Sequence, residues 1–204
     1  MTGVMGLSFL FLAASLGTAG ASPPNWTGEY PPCDRHADLL NPEHVDLGVR
    51  ISTANPALAR QFLRAMDFWA GVLDVEWHQA DSQDCSIQLI DGPLALFDAA
   101  GGRAVVVARS QFPNRPSFQG FIAFNPCLNP TEHEMFVVSV HEIGHLLGLP
   151  HNPSGSSVMF FLELDDSVFL DAADLRALAG RHKLRASIFG NGGLAAIRVS
   201  GPAN

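Results

Sequence analysis

Basic residues are scarce in this 204-residue chain: 12 Lys and Arg stand against 20 Asp and Glu, a formal net charge of −8. Gripping phosphates takes a basic face, so nucleic acid is excluded as a partner. Cysteines are few as well. Cys33, Cys85 and Cys127 allow at most one intramolecular disulfide and leave one thiol over, and spacing does not choose among the three pairings. No apolar run beyond the N-terminus approaches the length of a membrane span, and there is no internal repeat. What the chain does have is 47% hydrophobic residues, with 19 Gly and 14 Pro. That apolar fraction excludes a disordered chain, and the length suits one domain with a core of its own. The Gly and Pro content fits a loop-rich mixed fold better than a helical bundle. With no sign of a symmetric interface, a monomer is expected.

Val4 to Leu16 are almost wholly apolar and run into Ala19-Gly20-Ala21. The pattern resembles a secretory signal over residues 1–21, although no Lys or Arg precedes the apolar run. It places the mature start near Ser22 and the protein outside the cell, or in the periplasm of a bacterium, with no membrane segment once the signal is removed. Asn25-Trp26-Thr27 is a glycosylation sequon, meaningful in a eukaryotic host. Residues 22–44, with Pro23, Pro24, Pro31, Pro32 and Pro42, read as an extended lead-in or short propeptide-like segment.

From residue 45 the chain alternates between strand and helix patterns. Val45, Leu47, Val49 and Ile51 mark a first strand, and Asn55-Pro56 opens a helix whose Leu58, Phe62, Met66 and Trp69 share a face. Val75 and Trp77 predict a second strand, Ile87 and Leu89 a third, and Ala104–Ala108 and Phe118–Phe124 two more, with a loop from Arg109 to Ser117. Thr131 and Glu134 match a capping box, predicting a helix over about 132–147 that Gly148, Pro150 and Pro153 terminate. Asp171 caps a last helix with Leu175 and Leu178 on one face and Arg181 and Lys183 near its end. Residues 186–204 are Gly-rich and show no pattern.

The chemistry concentrates in the capped helix. His141 and His145 lie four apart, on one helical face, so both imidazoles can reach one metal ion. Glu142, beside the first, can hold a water without ligating the metal. Gly148 can adopt the left-handed conformation that reverses the chain and returns His151 as a third neutral ligand. Three protein ligands with a fourth position left to water is a catalytic arrangement, whereas a structural zinc is closed by a fourth ligand. Met159 follows a Gly155-Ser156-Ser157 turn eight residues beyond His151.

His141-Glu142-x-x-His145-x-x-Gly148-x-x-His151 with a downstream methionine resembles the long metzincin signature, and His-Glu-Ile-Gly-His-Leu-Leu-Gly-Leu-Pro-His looks like its matrixin branch. Ala65-Met66-Asp67-Phe68-Trp69 resembles a stretch of the matrixin first helix, Gly120–Asn125 the antiparallel edge strand, and Leu170–Leu175 the start of the C-terminal helix. The resemblance covers about residues 45–185, leaving 186–204 as a tail. It implies a mixed α+β fold: a five-stranded twisted sheet with one antiparallel edge strand, a zinc helix, and a small C-terminal subdomain with a final helix. It also implies a cleft for extended peptide beside the edge strand. Met159 would form an apolar floor under the metal, and Ser156 to Phe161 would line the pocket for the residue after the scissile bond.

The implied activity is hydrolysis of peptide bonds in a protein or peptide substrate by a zinc-bound water, with one catalytic zinc and Glu142 as general base and then acid. The alternatives are a non-catalytic peptide-binding module and a structural zinc module on the same fold; an intact Glu142 speaks against the first, and the second requires a fourth ligand that only Cys33 or a remote carboxylate could supply. Matrixins carry a second zinc and calcium on a loop before the zinc helix. No histidine lies between Ile87 and His133, so neither that zinc nor calcium is supported by this sequence. His36, His44, His78, His133 and His182 read as surface histidines. Cys33, in Pro31-Pro32-Cys33-Asp34, keeps fragments of the matrixin latency motif and is either a latency ligand for the zinc or half of a disulfide.

Overall fold

The computed structural model describes residues 45–81, 86–97, 106–114, 119–160, 168–180, 182–190 and 193–200. The signal-like run, the lead-in with Cys33, the sequon, Cys85, Phe161 and Arg181 lie outside these residues. The chain order is β1 (Val45–Ser52), α1 (Pro56–Val72), β2 (Val75–Gln79), β3 (Ser86–Asp91), β4 (Ala108–Asn114), β5 (Gln119–Phe124), α2 (Glu132–Leu146), β6 (Phe169–Leu170), α3 (Ala172–Ala179), β7 (Phe189–Gly190), β8 (Gly193–Leu194) and β9 (Ile197–Arg198).

Five strands form one sheet in the order β2-β1-β3-β5-β4, all parallel except β4, which runs antiparallel to β5. The mixed fold and its single antiparallel edge are therefore as the sequence implies, but the edge is a different segment. Gly120–Asn125 supplies β5, an interior strand with neighbours on both sides. Its Ile122, Ala123 and Phe124 are all buried, as suits a strand covered on both faces. The edge is β4, which occupies much of the stretch read as a loop from Arg109 onward, while Val106 and Val107 precede it. Pro113, Asn114 and Pro116 give this segment a loop-like sequence, and the pairing of β4 with β5 shifts register between Gln111 and Asn114. An edge strand has only one ladder to serve, so it accommodates a proline that an inner strand would not.

Two helices pack on each other beside the sheet. Asn55 caps α1, its side-chain oxygen accepting from the N–H groups of Ala57 (3.0 Å) and Leu58 (3.1 Å), with Pro56 in the first turn where no N–H is needed. The predicted face is buried: Leu58, Phe62, Met66 and Trp69 join Ala65 and Val72 in the core. Trp69 Nε1 donates to Val140 O on α2 at 3.1 Å, and Gln61 Nε2 donates to Glu132 at 2.6 Å, so the start and the middle of α2 are tied to α1.

The chain after α2 folds back over these helices. Asp74 N donates to Lys183 O and Arg185 N to Val72 O, at 2.9 and 3.0 Å, and the Arg185 side chain reaches Ala70 O. Lys183 therefore sits past the end of α3 and pairs with Asp74 at 3.6 Å instead of opposing the helix dipole. His182 is also corrected: it is only 4% exposed, and its Nε2 bonds to Leu147 O at 2.8 Å. That bond satisfies a carbonyl at the end of α2, a place where helices leave acceptors without partners. The Gly-rich stretch contributes structure too, since β9 pairs with β6 and Val199 N donates to Val168 O at 3.0 Å.

Candidate metal centre

The helix that carries the site is fixed at both ends by local chemistry. At its start, Thr131 Oγ1 accepts from Glu134 N at 3.2 Å while Glu134 Oε2 accepts from Thr131 N at 2.6 Å. These bonds to Thr131 hold the Glu134 carboxyl below its usual range. At the other end, Leu149 N donates to Gly144 O (2.9 Å) and Gly148 N to His145 O (3.0 Å), a Schellman motif with Gly148 at φ 93°. Only glycine takes that conformation without strain, and it turns the chain back along the helix.

The reversal brings three imidazoles together. His145 Nε2 lies 3.1 Å from His141 Nε2 and 3.1 Å from His151 Nε2. The other ring nitrogens of the helical pair face carbonyls: His141 Nδ1 donates to Val158 O at 2.6 Å and His145 Nδ1 to Leu149 O at 2.8 Å. With Nδ1 protonated in this way, Nε2 carries a bare lone pair. His141 and His145 are buried and His151 is exposed, so the cluster opens to solvent on one side. Burial pushes both buried imidazoles down to about 4, which keeps them neutral at physiological pH.

The bare lone pairs of the His141 and His145 Nε2 atoms face each other, with His151 Nε2 alongside, an arrangement that favours a cation among them. Nitrogens about 2 Å from one zinc in a tetrahedral array lie roughly 3.3 Å apart. The spacing of 3.1 Å between neighbouring Nε2 atoms fits such an ion, and among the described residues this is the group of side chains that could hold one.

Glu142 is not one of the three converging groups but lies near them. It is 8% exposed, and hydrogen bonding to Ser110 on β4 is among the influences on its carboxyl. Burial raises its carboxyl above the usual range, opposed by the Ser110 bonds and by the nearby His145 and His151. Met159 is fully buried under the helix. A Cβ built on Gly144 would meet its Sδ at 2.6 Å and Trp69 Cζ2 at 3.2 Å, so the glycine inside the motif permits this close approach.

The loop carrying His151 and Met159 is held by polar groups that sequence reasoning did not find. Asn152 N donates to Met159 O at 2.8 Å, and Asn152 Nδ2 donates to Asp171 (3.0 Å) and Asp174 (2.9 Å). Asp174 was detectable only as the helix-capping partner of Asp171, to whose N–H it also bonds at 3.1 Å. Ser110 escaped notice because its strand was read as a loop. The structure thus brings together His141, His145 and His151, with Glu142 and Met159 alongside. Cys33 lies outside the described residues, and Cys127 is an exposed free thiol.

A family model described as Matrixin matches residues 49–180. Macrophage metalloelastase of Rattus norvegicus is 28% identical over 108 residues, 48% of this chain and 22% of its own length. Matrix metalloproteinase-26 of Homo sapiens is 27% identical over 113 residues, 51% of this chain and 42% of its own. Matrix metalloproteinase-16 of Rattus norvegicus is 27% identical over 141 residues, 57% of this chain and 22% of its own. The chain thus spans less than half the length of these relatives.

Proposed function

Because the chain belongs to the matrixin family, we propose that it is a secreted zinc-dependent endopeptidase that hydrolyses peptide bonds in protein substrates. The observation that carries this reading is the convergence of the His141, His145 and His151 Nε2 atoms on one point beside the Glu142 carboxylate. The relatives, named as metalloproteinases and a metalloelastase, point the same way. Residues 45–185 form the catalytic unit in this reading, residues 1–21 a signal removed on export, and the product is a monomer.

His141, His145 and His151 would hold the zinc, which when bound supplies Lewis acidity, polarising a peptide carbonyl and acidifying water. The carbonyl bonds on Nδ1 of His141 and His145 orient these ligands and fix their tautomer. A carboxylate oxygen of Glu142 takes a proton from the attacking water and delivers it to the departing amine nitrogen. A raised carboxyl suits that double role, since the group must release the proton as well as accept it. The outer edge of β4, the end of the sheet among the described residues, would offer backbone groups to an extended substrate, and Ser156 to Phe161 would form the wall of the specificity pocket. Exposure of His151 leaves room for substrate where a structural site would be closed.

The test is cleavage of a peptide library by the purified chain, with and without chelator, beside Glu142→Ala. Cleavage abolished by chelator, and reduced at least about a hundredfold in the variant with zinc still bound, is the expected result. A chain that binds zinc stoichiometrically and cuts nothing, even with residues 22–44 removed, would leave a binding module instead.

A further inference from the structure

Strand β9 lies beyond residue 180, where the family match ends, yet it returns to the ground beneath the histidines. It runs antiparallel to β6, with Phe169 opposite Arg198 and Leu170 opposite Ile197, and Val199 N donates to Val168 O at 3.0 Å. Phe169 also bridges Ser157 in parallel: Val158 N donates to Phe169 O at 2.8 Å, and Phe169 N to Ser156 O at 2.9 Å. The backbone groups of successive strand residues point to opposite sides, so Phe169 serves the turn while Val168 serves β9. Three segments therefore lie side by side with β6 in the middle. Val158, Met159, Val168, Leu170 and Val199 are all fully buried along this seam.

The turn so held touches the cluster at three places. Val158 O lies 2.6 Å from His141 Nδ1, and Met159 O accepts from Asn152 N, next to His151, at 2.8 Å. The Met159 side chain lies against Gly144, between the two helical histidines. We propose that β9 is a positioning element of the metal centre: through β6 it fixes the Ser157–Met159 turn on which His141, Gly144 and Asn152 rest. This rests on the reading of the three histidines as zinc ligands. A two-residue strand with a neighbour on one side only is marginal, and β9 supplies the second neighbour. Groups that orient metal ligands matter about tenfold to a hundredfold in metal affinity when they are lost.

The test places the same change at two buried valines of the full chain, Val199→Ala on β9 and Val49→Ala on β1, beside Val199→Pro, which also removes the N–H that reaches Val168 O. Two quantities are read: amide exchange at Val158 and Phe169 in metal-free protein, and the rate of zinc release to a chelator. Both Val199 variants should speed exchange at these two amides beyond any change in Val49→Ala. Zinc release should quicken about tenfold in Val199→Pro and less in Val199→Ala, and stay at the wild-type rate in Val49→Ala. Should the proline variant not fold, the two alanine variants still decide. Equal effects of Val199→Ala and Val49→Ala would make β9 ordinary core, and release unmoved in every variant would equally overturn the proposal. A wild-type chain that binds no zinc defeats the metal reading, while amide exchange still decides whether β9 holds the turn.

Discussion

The hydroxyl of Ser157 donates a 2.7 Å hydrogen bond to Oδ2 of the buried Asp174, tying the turn before Met159 to α3. Ser157 Oγ in turn accepts from Met159 N at 2.9 Å, so the link continues into the backbone of the residue under the histidines. Asn152 Nδ2 and Asp171 N supply two more donors to Asp174. Burial lifts the Asp174 carboxyl above its usual range, and these hydrogen bonds oppose the shift.

Asp174→Ala would strip a partner from three donors. Leaving buried donors without acceptors costs about 2–4 kcal/mol in all, once some turn to water. Because the freed loop carries His151, zinc affinity falls along with stability. Urea melts and zinc titration of the variant check this. A variant that is destabilised yet binds zinc as tightly as wild type would mean that α3 does not hold the third ligand.

Acid should destabilise the metal-free protein well above the usual carboxylate range. His141 and His145 are lowered from 6.5 to about 4, mainly by burial. As pH falls through about 6.5, the unfolded chain binds two protons that the native state refuses. Stability from these groups is complete above that value, declines through the interval, and is gone once pH passes below the native values. The slope between reaches about 2–3 kcal/mol per pH unit for two groups. Melting of chelated protein from pH 8 to 4, beside a variant with His141→Gln and His145→Gln, measures it. Equal slopes in the two proteins would contradict the shift.

Much of this site was legible because its signals are local. Thr131 and Glu134 announce the helix start, the four-residue spacing of His141 and His145 sets their shared face, and Gly148 marks the turn that returns His151. Each is a property of a few consecutive residues. Tertiary partners carry no such mark. Ser110 matters through a helix thirty residues on, Asp174 through a loop it reaches only after capping its own helix, and His182 through a carbonyl on α2. The edge strand was misplaced for a related reason: the antiparallel partner is decided by pairing with β5, and Pro113 imitates a turn.

The close approach at Gly144 sets two effects against each other. Alanine is a better helix former than glycine by about 1 kcal/mol. Its Cβ would lie 2.6 Å from Met159 Sδ and 3.2 Å from Trp69 Cζ2, and both side chains are buried, with little room to yield. Overpacking of that kind costs about 1–3 kcal/mol, so Gly144→Ala is expected to destabilise on balance. In a Met159→Ala background the sulfur is gone and the same change should stabilise. Thermal midpoints of the four proteins give the sign directly; an identical effect in both backgrounds would rule out the steric account.

Gly148 separates the cost of backbone conformation from that of packing. Its φ of 93° is strained for any residue with a Cβ, and the Schellman bonds from Gly148 N and Leu149 N depend on it. Gly148→Ala should cost about 1–2 kcal/mol of stability. The larger effect falls on the metal. If alanine drives the turn toward negative φ, Leu149 O withdraws from His145 Nδ1 and His151 swings away from the helical pair, removing one ligand and loosening another. Zinc affinity should then fall by at least about tenfold to a hundredfold. Gly148→Asn, which tolerates the left-handed region better, should lose less of both. Competitive zinc titration and melting of the two variants decide the matter: equal losses in alanine and asparagine would show that the side chain's bulk, and not φ, is what the turn rejects.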